Sequence, residues 1–505
     1  MSTTTGQTAA AAEGPPPLKT GFAGFFAKFG VLKGAQRELW LTFAIKLLVI
    51  AAYSVTNKTL VLWLSSDLGY NDQAAGVLIG WIWAPAMTVF TLLAGSLTDA
   101  LGLRRTFFFG VWICLIARAV MVFSTVKWLA LAGGLFPLVI GEALGTPVLI
   151  AATRRYSTTR QRSIAFSLIY TIMNVGFFIA ARIYDYVRQN LGEHGHFNLF
   201  GQQISTYRTL FLVSFLFELT ILIPTYFLRR GAEATDDGVR FEAERMQHAG
   251  AEFGKRILLT VRDSAMETVR LFKRLLGQSG FYRLLAFLLL IGFLKAIVMQ
   301  MDYVFPKFGI RELGDGAPIG QLSSINYLLI ILLVPTIGAL TQRFSAYRMV
   351  IIGGAICAAS VFIMALPTSW FQASANGVLG QLIGHTYLGL KGSVNPYYVM
   401  IALYIALFSF GEAFYSPRVY EYAAAIAPKG QEASYGALSY IPFLLGKLLI
   451  GGAGWLLAIF CPAQGPRHSG TMWLIFALAA SVAPIGLLLF RRYIRVPEAG
   501  RQDFA

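Results

Sequence analysis

Long apolar runs, each close to the length needed to cross a bilayer, alternate with short polar segments along almost the whole chain. A helix needs roughly 20 apolar residues to cross a hydrocarbon core. On that length the pattern predicts twelve spans, near 38–66, 74–98, 104–124, 128–152, 163–189, 208–228, 282–306, 319–342, 347–366, 396–425, 433–461 and 471–490. Positive charge recurs after every second span. Arg104 and Arg105 follow span two, Arg154, Arg155, Arg160 and Arg162 follow span four, and Arg229 and Arg230 follow span six. Arg343 and Arg348 follow span eight, Lys429 follows span ten, and Arg491, Arg492 and Arg495 follow span twelve. Connections on the other side, such as Asp67 to Asp72, are acidic or nearly neutral. The bias predicts that even-numbered spans end inside and that both termini are cytoplasmic.

Between spans six and seven the periodicity changes. Asp236, Asp237, Glu242 and Glu244 open a polar linker. Ile257, Leu258, Val261, Ala265, Val269, Phe272 and Leu275 then recur at helical spacing, with Lys255, Arg256, Arg262, Arg270, Lys273 and Arg274 between them. That predicts an amphipathic helix, lying on the cytoplasmic membrane surface or packed on the protein's own inner face. The expected organisation is a tail (1–36), a six-helix bundle (37–230), the linker (231–281), a second bundle (282–492) and a C-terminal tail (493–505). A second long connection, about 367–395, is Gly-rich and expected on the outer side.

Composition agrees with a multi-pass membrane protein: 56% of residues are apolar and 13% charged, more apolar surface than a soluble fold could hide. The net charge of +17 sits in the short loops, as topology signals do, so nucleic-acid binding is not expected. Cys114, Cys357 and Cys461 are far apart and suggest neither a disulfide framework nor a metal cluster. His194 and His196 stand in an outer loop without further ligands, so no metal is expected. Residues 1–18 lack an apolar core, so no cleavable signal peptide is expected. The chain has no Gly-Lys-Thr phosphate loop, no His-Glu-x-x-His and no Gly-x-Ser-x-Gly, so no cofactor, ATP drive or enzyme activity is expected.

Two features point to a carrier. Gly141-Glu142-Ala143-Leu144-Gly145-Thr146-Pro147 is repeated as Gly411-Glu412-Ala413-Phe414-Tyr415-Ser416-Pro417, both deep in apolar runs. A carboxylate at mid-membrane costs on the order of 3 kcal/mol, so it is expected to face a cavity or a partner. After span two comes Gly95-Ser96-Leu97-Thr98-Asp99-Ala100-Leu101-Gly102-Leu103-Arg104-Arg105, with a degenerate copy, Gly338-Ala339-Leu340-Thr341-Gln342-Arg343-Phe344-Ser345, after span eight. Small residues allow a tight turn, and Asp99 can hold a helix end or an Arg. This loop resembles the signature of the major facilitator superfamily. The resemblance implies an all-α membrane fold of twelve transmembrane helices in two pseudo-symmetric six-helix bundles, with Gly95, Asp99, Gly102, Arg104 and Arg105 as the gating loop.

Within that superfamily four stretches resemble the proton-dependent oligopeptide transporter family. They are Tyr170-Thr171-Ile172-Met173-Asn174-Val175-Gly176, Ile325-Asn326-Tyr327 with Pro335, Gly411-Glu412 with Ser416-Pro417, and Tyr53 through Leu60-Val61-Leu62-Trp63-Leu64. The resemblance implies that Asn174 and Asn326 contact peptide amides and that Glu412 meets the substrate amino group. Buried amides and a buried carboxylate suit such a solute, the alternative for the amides being hydrogen bonds that bridge helices. Where the family carries Glu-x-x-Glu-Arg on its first helix, this chain has Lys46, Val49 and Ile50; where it carries Lys-Pro on span four, this chain has Thr146-Pro147. The pair of spans inserted between the halves in many bacterial members is missing. Glu142 and Glu412 remain as the candidate proton carriers.

Further charges lie within the spans. Arg182 and Asp185, three residues apart, are expected to neutralise each other, and Lys58 and Asp302 to snorkel from the outer ends of their spans. Arg118, Glu218 and Lys447 are also within spans. At least one of Lys46 and Lys295 is expected to face the centre opposite Glu412 or Glu142, as relay, replaceable ion pair or helix glue. Tyr53, Tyr170, Tyr327, Phe414 and Tyr415 fall near the same depth, as pocket lining or as core. The expected site is thus Asn174, Asn326, Glu412, Tyr53, Tyr170, Lys46 and Lys295. The expected function is secondary active transport by alternating access, with proton-coupled uptake of di- or tripeptides or peptide-like solutes by a monomer in a bacterial inner membrane. The alternatives are export or exchange of another metabolite, such as an anion drawn to Lys46, Lys295 and Arg118, and a transporter-like receptor or scaffold that moves nothing.

Overall fold

The computed structural model describes residues 29–235, 238–241, 250, 252–341, 343–426, 438 and 441–496. Asp236, Asp237, Glu242, Glu244, Gln342 and Lys429 lie outside the described residues, as do the side-chain surroundings of Gly95, Asp99, Thr146 and Pro147.

Among the described residues, twelve helices are long and apolar enough to cross a membrane. They are α1 (Arg37–Ser66), α2 (Asp72–Thr91), α3 (Leu103–Phe123), α4 (Lys127–Arg155), α5 (Arg160–Leu191), α6 (Thr206–Phe227), α7 (Ser279–Tyr303), α8 (Ile319–Gly338), α9 (Ala346–Ala365), α10 (Pro396–Ala423), α11 (Ile441–Phe460) and α12 (Ser469–Leu489). Each predicted span overlaps one of these helices. The helix of α2 continues to Leu101 and turns into α3 through the single residue Gly102, whose φ of 81° is open to glycine without strain. Thr158 and Gln161 form a capping box that starts α5.

The packing map repeats. In the first half α1 packs on α5 and α6, α3 on α4 and α6, and α2 on α4; in the second α7 packs on α11 and α12, α9 on α10 and α12, and α8 on α10. The halves meet where α5 packs on α8, α2 on α11 and α1 on α7. Glycines permit the second of these contacts: a Cβ on Gly80 would come within 2.6 Å of Gly451 Cα and 2.8 Å of the Lys447 carbonyl oxygen. The duplicated motif is built on the same contact twice. A Cβ on Gly141 would meet Cys114 N and Gly110 O at 3.0 Å, and one on Gly411 would meet Cys357 N at 2.8 Å and Gly353 O at 2.7 Å.

Two hairpins that the apolar pattern did not predict flank α6. Strand β1 (His196–Leu199) pairs with β2 (Gln202–Ser205), and β3 (Ala232–Thr235) with β4 (Gly238–Phe241), both antiparallel. The linker helix Phe253–Leu275 packs on the arginine-rich end of α2, which favours the reading in which it covers the protein's own face, while Leu258, Met266 and Val269 stay exposed.

Candidate functional site

A buried charge is stable only when paired and hydrogen-bonded, so the partners of each buried ionisable group show how the interior is organised. In the N-terminal bundle the organiser is Arg118, one turn beyond Cys114 on α3. Its guanidinium donates to Glu142 Oε1 of α4 at 3.0 Å, to Glu218 Oε2 of α6 at 2.9 Å and to Thr56 Oγ1 of α1 at 3.3 Å. All three charged groups are buried. This overturns the expectation that Arg118 could draw an anion, because two carboxylates already occupy its fork. Glu142 Oε2 remains buried without a hydrogen bond.

In the C-terminal bundle the organiser is Asn326 of α8. Its amide donates to Glu412 Oε2 at 3.1 Å and to Ser409 Oγ at 2.9 Å, both from α10. Lys295 of α7 donates to Ser416 Oγ at 3.3 Å, lies over the Tyr415 and Phe443 rings, and has Glu412 as its electrostatic neighbour. Asn326, Glu412 and Lys295 are thus brought together. Across the seam, Tyr170 packs against Ala413, Phe414 and Ile330 and lies in the field of Glu412, while Asn174 donates to the Tyr170 carbonyl at 2.9 Å. Tyr53 stands apart from this group, near Glu142 and Asp302. Lys46 is 3% exposed, and among the described residues no hydrogen-bond or ion-pair partner meets its ammonium.

The bundles are joined between these two centres. Lys58 of α1 pairs with Asp302 of α7 at 2.7 Å and lies over the Tyr327 ring, which stacks on Phe177 of α5. Tyr303 donates its hydroxyl to Asn57 Oδ1 at 2.9 Å. Lys58 therefore does not snorkel: at 1% exposed it is held across the seam. Toward the face opposite the arginine-rich loops, Asp72 accepts from Lys307 and Arg311, and Trp81 donates to the Leu448 carbonyl. Lys307 lies outside the spans; burial pushes its ammonium below the usual lysine range, against the pull of Asp72.

Asp185 does not pair with Arg182. It pairs with Arg188, three residues the other way, and accepts the Gly320 and Gln321 amides at the start of α8. A helix N-terminus favours that carboxylate. Arg182 instead lies over the Phe178 and Tyr387 rings. Arg188 is held further by Glu193, which also accepts from Tyr207. The face opposite the arginines is therefore closed by several polar ties between the bundles.

In the loop between α2 and α3, Arg104 donates to the Tyr226 carbonyl at 2.7 Å and lies over the Phe108 and Tyr226 rings, and Arg105 is exposed. Groups that could hold a metal do not occur among the described residues. Sequence reading did not join Glu142 and Glu218 through Arg118; their only signal was charge within spans.

Comparison with solved structures places this geometry. A POT family transporter in complex with 5-aminolevulinic acid aligns with a TM-score of 0.67 at 15% identity, over 91% of this chain and 97% of that one. The same kind of transporter in complex with a thioalcohol-conjugated peptide aligns at 0.66 and 15%, over 91% and 97%. A structure described for substrate recognition in proton-dependent oligopeptide transporters aligns at 0.63 and 20%, over 91% and 98%. These similarities establish the fold. Comparison with curated protein sequences finds no match. The profile of the Major Facilitator Superfamily matches residues 42–384, more than half of the chain. With twelve spans, two bundles of repeated packing and a buried carboxylate at the same place in each, the chain belongs to the Major Facilitator Superfamily and is a multi-pass membrane transporter.

Proposed function

We propose that the chain takes up a small zwitterionic solute of the di- or tripeptide kind together with protons, by alternating access. The observation that carries this reading is the Asn326–Glu412–Lys295 group, which faces the Tyr170 ring and its neighbour Asn174 across the seam. An amide-held carboxylate beside a lysine offers an ammonium one partner and a carboxylate another. A substrate amine that binds Glu412 would take the place of Lys295, whose ammonium would then be free for the substrate carboxylate. Glu142 and Glu412 are the candidate proton carriers.

The arginine-rich face is assigned to the cytoplasm of a bacterial inner membrane, with both termini on that side. The described conformation is then shut toward the outside by the Lys58–Asp302, Asp72–Arg311 and Asp185–α8 ties. The test is uptake of a radiolabelled dipeptide into proteoliposomes, with and without an inward proton gradient, beside Glu412→Gln. The expected result is gradient-stimulated uptake that the substitution abolishes. Lack of uptake by correctly oriented, folded protein refutes the peptide assignment. A second reading, exchange of an organic anion, is favoured by Lys46 alone, and Lys46→Met would then abolish exchange while Glu412→Gln spared it.

A further inference from the structure

Arg118, Glu142 and Glu218 form a buried group of one cation and two anions, with a surplus charge of −1 inside the N-terminal bundle. The balancing charge belongs to the other bundle. Lys447 of α11 is buried against α2, its ammonium 3.5 Å from Met87 Sδ and over the Trp83 ring. Among the described residues no carboxylate lies within 4 Å of it, and its electrostatic neighbours are Glu142 and Asp302. Asp302 is already matched by Lys58, which leaves Glu142 as the charge Lys447 balances.

Four buried groups, two of each sign, are therefore neutral only while the bundles are pressed together. Separation along the α2–α11 contact leaves −1 on one side and +1 on the other. Lys447 can then be hydrated where it stands. The Arg118 group stays inside its bundle, where an uncompensated charge costs several kcal/mol. Glu142 Oε2, buried and unpartnered, is the atom at which one proton removes that cost. Glu218 shares the same guanidinium, and the remaining neighbours are Tyr53, Thr56 and Asn57 from α1, Cys114 from α3, and Asp302 and Tyr303 from α7. None of these is a second free cation.

We propose that Glu142 binds the coupling proton when the face opposite the arginines opens, and that the return of Lys447 displaces it toward the arginine-rich face. One O–H bond forms at Oε2 from water on the first side and breaks to water on the second. The proposal rests on the transport reading and assigns its proton to the N-terminal bundle, leaving Glu412 to the solute.

The test needs no solute. Spin labels on Thr125→Cys and Ser369→Cys, exposed sites on the connections that follow α3 and α9, report the opening of that face by electron–electron distance measurement in nanodiscs as pH is varied. The three native cysteines are buried. One proton taken up on opening raises the open-to-closed ratio by at most about tenfold per unit fall in pH, and native protein should approach that slope. Glu142→Gln should be open-shifted and pH-independent. Lys447→Met should flatten the slope, because the Arg118 group then carries its surplus charge, and the proton that neutralises it, in both forms. A flat native profile, a normal slope in Glu142→Gln, loss of the slope in Glu412→Gln alone, or opening driven by sodium at fixed pH would each overturn the proposal. If Glu142→Gln does not fold, Lys447→Met decides: a native slope there would overturn the proposal. Failure of dipeptide uptake leaves this measurement untouched, so the two readings fail separately.

Discussion

The Lys58–Asp302 pair offers the most direct test of how the closed face is held. Asp302→Asn leaves the Lys58 ammonium 1% exposed, with the Tyr327 ring as its remaining named partner. Removing one partner of a fully buried pair costs about 3–5 kcal/mol. The Asp302 side chain is 25% exposed, so water offsets part of that and about 2–3 kcal/mol is a fair figure for this pair. The protein can escape the cost by opening, which hydrates Lys58. At about 1.4 kcal/mol per decade, the closed-to-open ratio should fall roughly 30- to 150-fold. The labels on Thr125→Cys and Ser369→Cys read that shift as growth of the long-distance population. Replacing both partners by apolar groups, Lys58→Met with Asp302→Leu, should return the ratio to within about tenfold of native, since a well-packed apolar pair substitutes for a buried ion pair. Unchanged distances in Asp302→Asn, or a double variant as open as the single one, would refute the reasoning and leave the closure to Asp72, Lys307 and Arg311.

Two further outcomes follow from named contacts. Gly80→Leu puts a side chain where Gly451 Cα and the Lys447 carbonyl leave no room, so the face should stay open at every pH, as the same distance measurement will show. Arg118→Met strands two buried carboxylates and should cost about 3–5 kcal/mol, seen as a lower midpoint in scanning fluorimetry. Adding Glu142→Gln should restore much of it.

The spans were legible because their length and polarity are imposed by the bilayer, whatever each helix packs against. The duplicated Glu142 and Glu412 were legible because carboxylates at mid-span are rare. Partner choice was not. Asp185 has an arginine three residues away in each direction, and spacing alone cannot rank Arg182 against Arg188. The choice is made by the start of α8, which fixes Asp185 by two amides and leaves Arg182 to the Tyr387 ring. Arg118 and Glu218 are 100 residues apart, and Lys58 and Asp302 are 244 apart, so no local pattern could join them.

The same scaffold carries different chemistry in its two halves, and this bears on which carboxylate does what. Gly141 seats on Gly110 and Cys114, and Gly411 on Gly353 and Cys357, so Glu142 and Glu412 leave equivalent backbone positions. What meets them differs. Four residues after Cys114 stands Arg118; four after Cys357 stands Val361. Glu142 is therefore fixed by a guanidinium it shares with Glu218 and cannot exchange that partner for a solute without stranding a charge. A proton can still reach its free oxygen. Glu412 is held by the neutral amide of Asn326, and its cation, Lys295, is tied among the described residues to a serine hydroxyl and two ring faces. An incoming ammonium can replace that lysine without breaking a guanidinium fork. On the proposed reading, the Arg-for-Val difference between repeats helps to divide proton binding from solute binding across the two bundles.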